Sequence, residues 1–180
     1  MFILILSWTK TKAPHNLLTE NILKSDIVFK NVTFAYPTRP DQLILKDLNL
    51  VIPGGKILAV VGPSGSGKST LASLILRYYD PQQGTIQLGG KDIRTLPQEN
   101  LRSHIGTVPQ EPVLFSMSIR DNIAYGANHP ENVSLDEIYE VTDQANAFSF
   151  IDQFPDKFNT VVGERGANLS GGQEQRWFRI

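Results

Sequence analysis

The sequence predicts an α/β fold, with an antiparallel β region first, a glycine-rich loop joining a buried strand to a helix in the middle, and helices after it. Three observations carry this expectation. Apolar and polar residues alternate from Asp26 to Tyr36 (Ile27, Phe29, then Val32, Phe34 and Tyr36), with a slip near Lys30 that suggests a bulge. Ile57 to Val61 is a continuous apolar run bounded by glycines, the pattern of a strand buried on both faces. From Lys68 to Tyr79, Leu71, Leu74, Ile75 and Tyr78 recur at helical spacing.

The other elements follow in chain order. Met1 to Leu6 is apolar, far short of the roughly 20 residues that span a bilayer. It also lacks the cationic start and cleavage site of a secretory signal. It reads as a frayed or misplaced start or the remnant of an upstream membrane helix, and Thr9 to Lys24 as a linker. Pro37 to Asp41 is turn chemistry, and Leu43 to Ile52 a second strand, paired antiparallel with the first and ended by Pro53-Gly54-Gly55. Asp80-Pro81 should end the helix that begins at Lys68. Thr85 to Leu88, Gly89-Gly90 and Lys91 to Ile93 predict a short hairpin, and Ile105 to Val108 another strand. Ser118-Ile119-Arg120-Asp121 is a weak helix-capping pattern. Ser134-Leu135-Asp136-Glu137 is a full capping box ahead of Ile138, Tyr139, Thr142 and Ala145 on one face. His15, His104 and His129 read as surface residues.

Composition excludes more than it selects. The 180 residues suffice for one domain with a buried core. Seventeen Lys and Arg against eighteen Asp and Glu leave a net charge of −1, which gives the chain no general attraction to nucleic acid, so any anion site is local. No cysteine is present, which rules out a disulfide framework and a thiolate metal site.

Gly62-Pro63-Ser64-Gly65-Ser66-Gly67-Lys68-Ser69 fits the pattern of a phosphate-binding loop, and it has the required strand before it and helix after it. Backbone N–H groups from Gly65 to Thr70 turn inward only where side chains do not block the curve, and there they meet phosphates at the positive end of the helix. In this pattern Lys68 reaches the β- and γ-phosphates and the Ser69 hydroxyl binds Mg²⁺. Pro63 offers no N–H and only shapes the turn. A chance match arises in about one chain of this length in a hundred, so the strand and helix context matters. The loop alone does not separate kinases, GTPases, motors and transporters.

Leu169-Ser170-Gly171-Gly172-Gln173 makes the separation. The string resembles the signature motif of ATP-binding-cassette (ABC) ATPases and follows the phosphate loop in that family's order. Read on its own, it is a helix start with Ser170 as cap and two glycines whose N–H groups are unshielded, which is itself an anion site. The resemblance implies that Ser170, Gly171, Gly172 and Gln173 serve the γ-phosphate held by a partner domain, and hence a head-to-tail pair of ABC domains with ATP between them. It implies a P-loop NTPase core with an N-terminal antiparallel β subdomain and a helical subdomain, C-terminally incomplete.

Further segments resemble the same family. Phe34-Ala35-Tyr36-Pro37 looks like its adenine-stacking segment, with Tyr36 as the ring, although Tyr36 alone reads as a strand-end core aromatic. Val108-Pro109-Gln110-Glu111-Pro112 resembles its glutamine loop, which implies that Gln110 touches Mg²⁺ and the attacking water. Thr160 to Gly166 looks like the segment through which exporters of the family contact their transmembrane part. The runs Ile105 to Gly126 and Phe158 to Glu164 resemble B-subfamily half-transporters, especially those of the mitochondrial inner membrane.

These readings divide the chain into 1–25, a linker or upstream remnant; 26–176, a partial ABC nucleotide-binding domain; and 177–180, a tail unlike the family. The family's strand ending in Asp-Glu and its switch histidine come after the signature helix, and the chain ends first. No residue is therefore assigned the catalytic carboxylate role. Glu111 and Glu164 lie near matching loops but lack the strand-end position. Three functions compete on the sequence: the ATP-binding domain of a transporter, a nucleotide-binding but non-hydrolysing regulator, and a small kinase. The kinase leaves Leu169 to Gln173 unexplained.

Overall fold

The computed structural model describes residues 24–107, 114–127 and 129–163, and the backbone of 2–4 and 7–8. The chain divides into two compact units, Met1–Thr107 and Val108–Ile180.

The first unit is built on a four-stranded antiparallel sheet. Strand β3 (Ile27–Ala35) is central, flanked by β4 (Leu43–Ile52) and β6 (Gln83–Leu88), with β7 (Lys91–Asp92) beyond β6. β3 buries Ile27, Phe29, Val32 and Phe34, as its alternation requires. The expected bulge is present: both ladders of β3 shift register after Phe29 or Lys30, where Asn31 takes a left-handed φ of 50°. Helix α1 (Lys68–Ile75) packs Leu71, Leu74 and Ile75 into the same core. Helix α2 (Gln98–Arg102) adds Leu101, and strand β8 (Ile105–Gly106) adds Ile105.

Four local expectations are corrected. Strand β5 (Leu58–Val60) was expected to be buried on both faces, yet Ile57 is 82% and Val61 73% exposed. Leu58 and Val60 point the other way and pack on the core; among the described residues of this unit, only that face of the strand has a covering layer. The helix from Lys68 ends at Ile75, before Asp80-Pro81. Arg77 adopts a left-handed φ of 51°, with its N–H donating to Leu74 C=O and that of Tyr78 to Ser73 C=O, a Schellman closure without glycine. The Arg77 guanidinium donates to the carbonyls of Ile93 and Leu96, and that of Arg102 to those of Leu76 and Arg77. Tyr78 falls past this stop and is exposed, with Arg102 5.1 Å from its ring centroid.

His104, expected at the surface, is 1% exposed. Its Nδ1 lies 2.7 Å from the Asn100 carbonyl oxygen, which satisfies that nitrogen within the fold and lowers the cost of burying the ring. The apolar start is paired strand rather than frayed: β1 (Phe2–Leu4) pairs antiparallel with β5, and β2 (Ser7–Trp8) with β8. Strand edges leave N–H and C=O groups that seek partners.

In the second unit a separate core gathers Leu114, Ile119, Ile138, Phe150, Ile151, Phe158 and Val162. Strands β9 (Met117–Ser118) and β10 (Val161–Val162) pair antiparallel. Helix α3 (Ile119–Ala124) starts on the Ser118 hydroxyl, which accepts from Asp121 N–H. Helix α4 (Leu135–Gln144) carries the predicted capping box: Ser134 Oγ accepts from Glu137 N–H, and Glu137 accepts from the N–H and hydroxyl of Ser134. Those donors hold the Glu137 carboxyl below its ordinary range. Helix α5 (Phe148–Ile151) follows, and Tyr139, Phe148 and Phe158 meet ring to ring.

Candidate functional site

The loop between β5 and α1 is shaped by its glycines. Gly67, the residue before α1, has φ +86°, and a Cβ there would come within 3.0 Å of Leu45 Cδ2 and 3.1 Å of Ile44 Cγ2 on β4. Gly65 also sits at positive φ, +79°. A Cβ on Gly62 would stand 2.8 Å from Ser66 Oγ. Gly67 is favoured both by its backbone conformation and by the β4 side chains beside it, Gly65 by its backbone conformation alone, and at Gly62 the close atom is the movable Ser66 hydroxyl.

The helix behind the loop opens without a cap. α1 has no side-chain cap and no acidic residue in its first turn. Its first bond runs from Leu71 N–H to Gly67 C=O, so the N–H groups of Lys68, Ser69 and Thr70 lie ahead of the intrahelical ladder. An uncompensated helix N-terminus favours an anion. Lys68 adds a full charge. Its ammonium donates to the carbonyls of Gly62 (3.0 Å) and Pro63 (2.6 Å) and to Ser66 Oγ (3.4 Å). Ser64 and Ser69 are exposed, whereas Thr70 is buried.

Tyr36 lies beside this loop, not apart from it. Its hydroxyl is 3.0 Å from Thr70 Oγ1. Its ring meets Phe34 (5.1 Å between centroids, 78° between planes) and Tyr79 (5.2 Å, 89°) edge to face. The ring is partly buried, so it shares in the core and keeps some exposed surface. Two neighbours escaped the sequence reading. Tyr79 gave no signal because the helical pattern ran through it and left it off the apolar stripe, whereas α1 stops at Ile75. Gln82 gave none because its role depends on the fold: its amide accepts from Ala35 N–H at 2.9 Å and donates to Ala35 C=O at 2.8 Å.

Gln110, Ser170, Gly171, Gly172 and Gln173 lie outside the described residues, as do Glu111 and Glu164. Among the described residues no group of three or more His, Asp or Glu converges as a metal site. The donor set at the loop, one serine hydroxyl beside an anion seat, suits Mg²⁺ arriving with phosphates. Among the described residues no helix is long and apolar enough to cross a membrane.

Comparison with known proteins fixes the family. Residues 45–178 match the sequence profile described as ABC transporter. Mouse ATP-binding cassette sub-family B member 10, mitochondrial, is 52% identical over 160 residues, which is 89% of this chain and 22% of that protein. ABC transporter B family member 14 of Arabidopsis thaliana is 51% identical over 163 residues, 91% of this chain and 13% of that protein. The chain thus spans about a fifth or less of the length of these relatives. A solved bacterial Atm1-family ABC exporter with ATP bound superposes with a TM-score of 0.80 at 41% identity, over 88% of this chain and 27% of that one. The small-kinase reading is set aside, and the chain belongs to the ABC transporter family, matching its nucleotide-binding domain.

Proposed function

We propose that the chain binds Mg-ATP and serves as a nucleotide-binding domain that drives export across a membrane. The observation that carries this is the loop from Gly62 to Thr70: a tight glycine turn, an uncapped helix start and the Lys68 ammonium converge on one small volume. Phosphates placed there would take the N–H groups of the loop and draw Lys68 from the carbonyls it now holds. Tyr36 would carry the base, since stacking on an aromatic tolerates any base. Ser69 and Gln110 would hold Mg²⁺, which supplies charge neutralisation at the β- and γ-phosphates when bound.

The partner is a second ABC nucleotide-binding domain in a head-to-tail pair, with Ser170, Gly171, Gly172 and Gln173 of one chain meeting the γ-phosphate on the other. The transmembrane part of a transporter would dock on both; the mitochondrial relatives support a mitochondrial membrane, which this reading takes to be the inner one. Division of the chain into a linker over 1–25, the domain over 26–176 and a divergent end over 177–180 belongs to the same reading. Calorimetric titration of the full chain with Mg-ATP tests it: saturable binding that disappears on chelating the metal and removing Lys68 supports the assignment, and no binding to the unaltered chain overturns it.

A further inference from the structure

We propose that Thr70 is a positioning residue for Tyr36, tying the side of the site that meets the base to the side that meets the phosphates. The inference rests on the nucleotide-site reading above. Tyr36 ends the β3 region, and its backbone is fixed on both flanks. The Gln82 amide holds the N–H and C=O of Ala35, and Arg39 N–H donates to Tyr36 C=O at 2.9 Å. The ring's remaining freedom is in its two side-chain torsions. A tyrosine hydroxyl lies on the axis about which the ring turns, so its bond to Thr70 Oγ1 at 3.0 Å fixes where the ring points but not the plane of its face. The plane is set by the edge contacts of Phe34 and Tyr79.

Thr70 is suited to this because of where it stands. It is 3% exposed, on α1, two positions after Lys68. A buried hydroxyl keeps its partner, since losing it costs desolvation without return. Thr70 also moves with the helix that opens the phosphate loop. Any shift of that loop therefore shifts the ring, and the two contact regions for a nucleotide keep a fixed separation. A ligand that spans both regions gains from this preorganisation. A phosphate chain without a base does not.

The test uses the full chain and two probes, Mg-ATP and Mg-tripolyphosphate, titrated against Thr70→Val, Thr70→Ser, Tyr36→Phe and the double variant Thr70→Val/Tyr36→Phe. Thr70→Val is expected to lower the ratio of ATP to tripolyphosphate affinity by about two- to tenfold, the effect of one neutral hydrogen bond. Thr70→Ser, which keeps the hydroxyl, should restore the ratio. Tyr36→Phe should lower it as much as Thr70→Val, and the double variant should lose no more than either single one, because both remove the same bond. Equal loss for the two probes, or losses that add in the double variant, would show that Thr70 acts on the phosphates or the fold and would overturn the proposal. Failure of the unaltered chain to bind either probe removes the nucleotide-site reading and this inference with it.

Discussion

The Lys68 ammonium lies 2.6 Å from the Pro63 carbonyl oxygen, and it also reaches the Gly62 carbonyl oxygen of the same loop. The loop is closed on its own cation. A ligand anion at this place competes with two neutral carbonyls for one ammonium, and a phosphate oxygen wins because its own charge adds Coulomb attraction to a bond whose donor is already ionised.

Lys68→Ala should accordingly lower affinity for Mg-ATP by at least about 10²-fold, the effect of two charge-assisted bonds at the low end of their range. The same loss is expected with Mg-tripolyphosphate, because the ammonium addresses phosphate and not base. Calorimetry with both ligands checks it. Unchanged affinity would remove Lys68 from the site.

Gly67→Ala should weaken both fold and site. A non-glycine residue held at the φ of +86° found here costs about 1–3 kcal/mol, and the added Cβ would press on Ile44 and Leu45 of β4. Urea unfolding should show a loss in this range, together with reduced nucleotide binding. Gly55→Ala is a useful control: it shares a positive φ, +66°, but meets nothing within 4 Å and lies outside the loop. It should cost stability through backbone strain while leaving binding intact.

What the sequence made legible was local. The glycines at 62, 65 and 67 could be read because a tight turn before a helix has few other ways to be written, and the Ser134 and Glu137 box because both partners lie within one turn. The two-stranded start, with its bulge at Asn31, followed from alternation and its slip. What stayed hidden depends on distant chain. Gln82 clamps Ala35 across 47 positions. The end of α1 is set by Arg77 in a conformation usually given to glycine and by Arg102 from another helix. The apolar run at Ile57 says that the strand can be covered on two faces, not that two layers are there. His104 looked like a surface residue because its satisfying carbonyl, that of Asn100, is a backbone group and leaves no mark in the side-chain pattern.

The exposure of β5 gives a sharp contrast. Ile57→Thr and Val61→Thr should each change the stability of this chain by no more than about 0.5 kcal/mol, as for surface substitutions. Burial on both faces would instead predict losses on the scale of core truncations, about 2 kcal/mol or more. Leu58→Ala and Val60→Ala, on the packed face, should be the costly changes. Thermal or urea unfolding of the four variants decides the matter, and a large loss at Ile57 or Val61 would mean that a covering layer exists on the open face.

The capping box of α4 should make part of the second unit's stability depend on pH. Glu137 accepts the N–H and the hydroxyl of Ser134, which lowers its folded pKa from the ordinary glutamate value. A carboxylate whose folded pKa is depressed contributes stability that is fully present above its unfolded pKa, about 4.3, and is lost as pH falls through the folded value. Glu137→Gln keeps an acceptor for Ser134 and remains a box residue, but it cannot titrate. Above pH 6 the unaltered chain should therefore be the more stable of the two. The difference should shrink as pH falls below the ordinary carboxylate range. Ser134→Ala removes the cap itself and should cost about 1 kcal/mol at neutral pH, with a smaller pH dependence left behind. Unfolding curves of the three proteins between pH 7 and pH 3 provide the measurement. A gap between unaltered chain and Glu137→Gln that stays constant over that range would show that the Glu137 charge takes no part in holding the helix start.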